Sequence, residues 1–206
     1  MMQNGGVLTL RRMGAGDLGL VETWLRDPEV ARWYLVASTV EAELDDLRQC
    51  IGGAEQTEAL IAADSSGPIG WCQWYLCDDY PDHAAGVGAD PGDAGIDYAI
   101  GEPASRGRGV GTALIGALVT YISQRHPQAG VIADPEASNV ASRRVLEKNR
   151  FQLRGERPVV SEPTSAPMAI YRLPPRPGVL DLPPVLVVVA PRRRAAGTGV
   201  GGGPAC

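Results

Sequence analysis

Residues 95–116 read GIDYAIGEPASRGRGVGTALIG, a stretch that predicts strand, glycine turn, helix. Ile96, Tyr98 and Ile100 alternate with Asp97 and Ala99, so one strand face is apolar and Asp97 points from the other. From Val110 the spacing changes. Val110, Ala113/Leu114, Ala117/Leu118 and Tyr121/Ile122 recur at the period of an amphipathic helix. Between strand and helix lies Arg106-Gly107-Arg108-Gly109-Val110-Gly111-Thr112. A glycine-rich turn opening a helix leaves backbone N–H groups unpaired, lets a ligand approach the backbone, and adds the positive end of the helix dipole. That is anion-site chemistry, most often for phosphate. The plainer alternative is a turn that only joins strand to helix.

Two common phosphate patterns do not fit. The Walker pattern ends in Gly-Lys-Ser/Thr, and the chain has no Gly-Lys pair. The dinucleotide fingerprint needs Gly-x-Gly-x-x-Gly, whereas the spacing here is Gly-x-Gly-x-Gly.

Working outward, the 206 residues are 44 % hydrophobic, enough for one domain with a substantial core. No apolar run is long enough to span a bilayer and no N-terminal signal pattern is present, so a cytoplasmic protein without membrane contact is expected. Cys50, Cys72, Cys77 and Cys206 lack CxxC spacing and the two histidines, His83 and His126, are scattered, so no metal site is expected. Formal net charge is −5, and the four arginines and one aspartate from Pro174 onward leave −8 on residues 1–173. An acidic body argues against nucleic acid and suits a cationic substrate. Ordinary solubility charge is the bland alternative.

The remaining elements are predicted in order. Val7–Arg12 reads as a strand, and Asp17 as the N-cap of a helix burying Val21 and Trp24/Leu25. Trp33-Tyr34 falls in a loop or helix end. Ser38-x-x-Glu41 is a capping-box pattern before a helix that Gly52-Gly53 stops. Glu58–Ala63 and Ile69–Cys77 form a hairpin. Residues 78–93 read as a long loop with five aspartates. After the long helix come a strand at Gly130–Asp134, a helix capped by Ser138-Asn139, and closing strands at Phe151–Gly155 and Met168–Leu173. Beyond Pro174 the chain is Pro/Arg/Gly-rich and linker-like, expected to be disordered, although Val185–Val189 could add an edge strand or a dimer contact.

Three signatures now stand in order: Arg106-x-x-Gly109-x-Gly111 after a strand, Asp134-Pro135 with Asn139 opening the next helix, and Leu146-Glu147-Lys148-Asn149-Arg150-Phe151. Together they resemble the GNAT superfamily of acyl-CoA N-acyltransferases, the last resembling its Tyr-Glu-Lys-x-Gly-Phe. The resemblance covers residues 7–173. It implies an α/β GNAT fold, a mixed and mostly antiparallel central sheet with a V-shaped splay, flanked by about four helices. It divides the chain into a GNAT domain at 1–173 and a tail at 174–206. It implies acetyl-CoA as cosubstrate, held by Arg106, Gly107, Arg108, Gly109, Val110, Gly111 and Thr112, by Tyr98, Ala99 and Ile100 of the strand, and by Asn139.

Within the superfamily, Gly70-Trp71-Cys72-Gln73-Trp74-Tyr75, an acid-rich loop, Asp90-Pro91 and Gly95-Ile96-Asp97 resemble aminoglycoside 6′-N-acetyltransferases, enzymes of antibiotic resistance. That likeness implies Asp97 as the catalytic base. It implies a polycationic amine acceptor bound by Trp33, Tyr34, Trp74, Asp79, Asp97, Asp134 and Glu136. The protein would act as monomer or homodimer. Plainer roles stand beside these: Asp97 paired with an arginine, Asp134 in a turn, Asn139 as a simple N-cap, the aromatics as core. Acetylation of a siderophore or metabolite amine, or a CoA-binding module without turnover, are the alternative functions.

Two residues depart from the family pattern. Its tyrosine, which commonly protonates the departing thiolate, is Leu146 here. Its helix-ending glycine is Arg150, and Asn149 is expected to take the left-handed cap instead. Water or a neighbouring tyrosine such as Tyr98 would serve as acid, or the thiolate would leave unprotonated. An alkyl amine with a pKa of about 10.4 must lose a proton to attack a thioester, which is work for a carboxylate. A backbone N–H would polarise the thioester oxygen. Cys72 and Cys77 have no accompanying His or acid, so direct transfer is expected.

Overall fold

The computed structural model describes residues 8–36, 38–160 and 165–175. Val7, the expected tail beyond residue 175 and the Val185–Val189 segment lie outside the described residues. In chain order the elements are β1 Thr9–Arg12, α1 Leu18–Leu25, α2 Pro28–Tyr34, α3 Val40–Gly52, β2 Glu58–Asp64, β3 Gly67–Leu76, α4 Pro81–Val87, β4 Ala94–Ala99, α5 Val110–Arg125, β5 Val131–Ala133, α6 Val140–Lys148, β6 Gln152–Arg157 and β7 Met168–Leu173. Among the described residues there are thus six α-helices, where about four were expected. The two additions are α2 and α4, each opened by a proline at its first helical position, where the missing N–H costs nothing. No helix among the described residues is long and apolar enough to cross a membrane.

The seven strands form one sheet in the order β1-β2-β3-β4-β5-β7-β6. Every pairing is antiparallel except β4 with β5. That parallel pair is short: only Ala94↔Val131 and Gly95↔Ile132 are in register. Past Gly95 the strands part, and this is the expected V.

Alternation along the strands divides the core. On one face Leu60, Cys72, Trp74 and Ile96 pack under Leu114, Leu118, Ile122 of α5 and Leu146 of α6. On the other, Ile61, Trp71 and Ala99 pack under Val21, Trp24 and Leu25 of α1 and Leu44 and Leu47 of α3. The Trp24 and Trp71 rings stack 5.9 Å apart, and Tyr34 tilts onto Trp71 at 5.0 Å. Buried aromatic pairs of this kind contribute about 0.5–1.5 kcal/mol beyond their area.

Several caps differ from expectation. Asp17 does not cap α1. It accepts the Gly14 N–H at 2.9 Å and both Arg11 guanidinium nitrogens at 2.6 and 2.7 Å, which holds its carboxyl below the usual range. Thr39, not Ser38, caps α3 by accepting the Ala42 N–H. Arg150 takes the left-handed turn after α6 at φ 68°, while Asn149 stays at φ −86°. The Asn149 side chain is engaged elsewhere, donating to the Thr112 and Val145 carbonyls.

The segment 78–93 is not a plain loop. It holds a 3-10 turn at Cys77–Asp79 and α4, and its acids brace it. Asp78 accepts the Gly92 N–H, and Asp90 pairs with Arg172 at 2.8 Å. Asp93 is 2 % exposed and receives the Arg172 guanidinium at 2.7 and 2.9 Å, the Gly130 N–H at 3.0 Å and the Asp90 N–H at 3.0 Å. Its carbonyl accepts the Cys77 N–H at 2.8 Å. One residue therefore ties the ends of β3 and β7 to the starts of β4 and β5, at the closed end of the V.

Asp93→Ala leaves Arg172 only the exposed Asp90 as partner and takes the acceptor from the buried Gly130 N–H. Removing one partner of a buried ion pair costs about 3–5 kcal/mol, and urea denaturation is expected to show a loss of that size. Replacing both residues with apolar ones of similar volume should restore much of it.

Candidate active site

The glycine turn begins where β4 ends. Pro103–Ser105 form a 3-10 turn, and Arg106 donates its N–H to the Pro103 carbonyl at 3.2 Å. Its side chain folds back into the protein. The guanidinium donates to the carbonyls of Ile100 (3.0 Å) and Gly101 (2.6 Å) and to both oxygens of Asp27 (3.1 Å each). The Arg106 side chain thereby anchors the turn to the start of α2. Asp27 also caps α2 through the Glu29 N–H at 2.8 Å, and the Arg106 guanidinium holds its carboxyl below the usual range.

Gly107 and Gly109 then sit at φ 71° and 84°, the left-handed region that any side chain would strain. Among the described residues, no backbone N–H from Gly107 to Thr112 has a protein acceptor. The first intrahelical bond of α5 runs from the Ala113 N–H to the Gly109 carbonyl at 3.1 Å. These donors at the positive end of a 16-residue helix suit a pyrophosphate. Gly111 serves packing as well: a Cβ there would lie 3.2 Å from Val145 Cγ2 on α6. Arg108 is exposed, donating to the Ala104 carbonyl at 3.4 Å.

Beside the turn, the V opens into a cavity of about 450 Å³. Because β4 and β5 have separated, side chains from both sheet faces reach it. Asp97, Trp33 and Tyr34 line it from one side, and Ile96, Tyr98, Asn139 and Ser142 from the other. Asp134, Pro135 and Glu136 enter from the end of β5. Among the described residues four carboxylates line the cavity, Glu43, Asp97, Asp134 and Glu136, and no lysine or arginine does. Aromatic rings share the lining: Trp33, Tyr34, Tyr75, Tyr80 and Tyr98.

The structure thus gathers Asp97, Tyr98, Asn139, Trp33, Tyr34, Asp134 and Glu136. Ala99 and Ile100 continue the strand beside the opening but do not line it. Two expected residues lie elsewhere. Trp74 shares a sheet face with Ile96 but lies outside the cavity lining, donating its indole N–H to Glu58 at 2.8 Å and packing on His126 at 5.2 Å. Asp79 is exposed on the 3-10 turn, away from the lining. Asn139 caps α6, its Oδ1 accepting the Ser142 N–H at 3.1 Å.

Sequence reasoning missed Glu43, Thr57, Tyr75, Tyr80, His83, Ser142 and Met168. Tyr80 and His83 had a findable signal, because Pro81 followed by Ala84, Val87 and Gly88 is a short helix with its start and stop residues in place.

Electrostatics mark two groups. The Tyr34 hydroxyl is buried with no hydrogen-bond partner among the described residues. Burial first, then the charges of Asp97 and Glu43, push its pKa well above the ordinary phenol value. It is a neutral donor close to two carboxylates. His83 Nε2 lies 3.8 Å from Asp134 Oδ1, and burial pushes the imidazole pKa below its ordinary value. The thiols offer no nucleophile: burial pushes Cys77 up to about 12 and Cys72 still higher.

Comparison with known proteins follows the same lines. The model of an acetyltransferase (GNAT) domain matches residues 14–159. The aminoglycoside N(6′)-acetyltransferase type 1 of Klebsiella pneumoniae is 28 % identical over 152 residues, spanning 72 % of this chain and 75 % of that protein. The aminoglycoside acetyltransferase AAC(6′)-Ib in complex with coenzyme A and kanamycin superposes with a TM-score of 0.70 at 26 % identity, over 81 % of this chain and 94 % of that one. Its complex with ribostamycin and coenzyme A gives 0.71 at the same identity, over 81 % and 93 %.

The His83 shift has a sign. As pH falls through the ordinary histidine value of ~6.5, the unfolded chain gains a proton that the folded chain does not yet bind, so stability falls. NMR titration is expected to place His83 below the ordinary value. His83→Gln should flatten the loss of stability between pH 7 and 5.5.

Proposed function

The chain belongs to the acetyltransferase (GNAT) domain family, and from that premise we propose that it acetylates the 6′-amine of aminoglycosides from acetyl-CoA, by direct transfer with Asp97 as base. As a family member it is an acyltransferase. The observation that carries the acceptor reading is the cavity wall, which among the described residues has four carboxylates, five aromatic rings and no lysine or arginine. A polycationic amino sugar uses all of these. Its ammonium groups meet the carboxylates, and its ring faces lie against aromatic ones. Relatives named for aminoglycoside acetylation support the same acceptor.

Acetyl-CoA supplies an acetyl group activated as a thioester. The donor set fits it: the bare N–H groups of Gly107 to Thr112 would hold the pyrophosphate, and the edge of β4 beyond Gly95 has no strand partner to block the pantetheine arm. Arg106 acts by fixing the turn, Asn139 by opening α6 beside the cavity.

Asp97 lies on the cavity side of β4, opposite Gln73 in the β3 register. Its carboxylate binds the acceptor ammonium and accepts the proton that must leave before nitrogen can attack. Tyr34, with an uncommitted hydroxyl near Asp97 and Glu43, orients the same amine or a neighbouring sugar hydroxyl. The cysteines take no part, since both thiols stay protonated at neutral pH.

Asp97→Asn keeps size and removes charge and proton acceptor. Steady-state kinetics with a 6′-amino drug are expected to show kcat/KM lower by about 10²–10⁴, the range for a lost general base, with CoA affinity unchanged. A 6′-hydroxyl drug should not be acetylated at that position. Turnover confined to neutral or anionic amines would replace the aminoglycoside with a metabolite amine.

Gly109→Asp places strain and negative charge in the turn. Calorimetry should show at least a tenfold loss of acetyl-CoA affinity, about 1.4 kcal/mol. Wild-type affinity in that variant would remove the turn from the cofactor site.

A further inference from the structure

Acyl transfer from a thioester leaves a thiolate, and this cavity is unfavourable for one. Among the described residues four carboxylates line it, and no lysine or arginine does so to offset a new negative charge. A neutral hydrogen-bond donor is the group that fits beside the leaving sulfur. Leu146 of α6 is fully buried and apolar and offers none. Tyr34 belongs to the wall around Asp97 and Glu43.

Tyr98 lies on the other face, packed against the cluster of α5 and α6. Its hydroxyl sits 2.6 Å from Ser142 Oγ and 3.4 Å from the Ser142 carbonyl. Ser142 is in the first turn of α6, fixed by its own N–H to Asn139. A phenol on β4 is thereby held at the cavity wall between the separated strand and the start of α6.

We infer that Tyr98 donates a hydrogen bond to the departing CoA sulfur, with Ser142 as the positioning residue that aims the phenol. This rests on the acetyl-CoA reading of the site. The C–N bond forms as the acceptor nitrogen attacks, and its proton passes to Asp97. The C–S bond breaks with its electron pair on sulfur, and the Tyr98 O–H points at that pair while the Ser142 hydroxyl donates to the phenol oxygen. Burial pushes the Tyr98 pKa up to about 12, above the ~8.5 of a thiol. The phenol therefore keeps its proton, and sulfur takes one from water on release.

The test needs no turnover. Calorimetry compares CoA with acetyl-CoA from pH 6.5 to 9.5, the thioester serving as a reference without a titrating thiol. Wild type is expected to gain about tenfold in affinity for CoA relative to acetyl-CoA as the thiol ionises, the scale of one hydrogen bond to a charged group. Tyr98→Phe should abolish that gain, leave acetyl-CoA affinity within about twofold, and lower kcat about tenfold with little change in the amine KM. Ser142→Ala should lose part of the gain and Ser142→Thr should restore it. If Tyr98→Phe does not fold, Ser142→Ala carries the same readout with the phenol retained. A Tyr98→Phe protein that keeps the pH-dependent preference, or a wild type without one, overturns the proposal. A wild type that acetylates no aminoglycoside yet shows the preference removes the acceptor reading and leaves Tyr98 standing.

Discussion

Everything in this molecule depends on the junction at Asp93. Two parallel strands that paired along their full length would leave no space between them. Here β4 and β5 meet over two residue pairs and then separate. A V of this kind must be held shut at one end, or the sheet would lose its continuity altogether. Asp93 does so with hydrogen bonds to Arg172 and Gly130 and, through its carbonyl, to Cys77. Gly130 has to be glycine for this, since a Cβ would lie 2.4 Å from Asp93 Oδ1. Asp93 is 2 % exposed, and its charge is tolerated there because the Arg172 guanidinium and the Gly130 and Asp90 N–H groups meet it.

From that closed end the site builds itself. Separation of the strands exposes both faces of β4 to one cavity. Asp97 and Tyr98, adjacent in sequence and opposite in direction, then address the same space from two sides. A closed sheet would place them in different layers. The same separation frees one edge of β4 just before the glycine turn, so the bare N–H groups of the turn adjoin the carboxylate-lined cavity.

What the sequence made legible was what local chemistry decides. The switch from period two to period 3.6 around Gly109, the capping of α6 by Asn139 and the strand at Met168–Leu173 needed no distant partner. Trp74 has the same parity as Ile96 and Tyr98, which do line the cavity, so its place on the strand gave no warning; its indole is held instead by Glu58, 16 residues away on β2. Residues 78–93 looked like a loop because aspartate and glycine dominate their composition, masking the Pro81 start and Gly88 stop of α4. The ion pair made by Arg106 could not be read from the sequence. Its partner Asp27 is 79 residues away. Glu43 was equally hidden, since only packing of α3 brings it to the cavity.

The bracket between Arg106 and Asp27 has a thermodynamic corollary. Asp27 is the cap of α2, the helix that ends in Trp33 and Tyr34. Arg106 is the anchor of the glycine turn. One ion pair therefore joins the two half-sites, and the order of one is part of the order of the other. Coupling through such a joint is reciprocal: whatever free energy a filled turn lends to the aromatic wall, an occupied wall returns to the turn in equal measure. Occupation of the turn and of the wall would then be coupled through the protein, over and above any direct contact between what fills them.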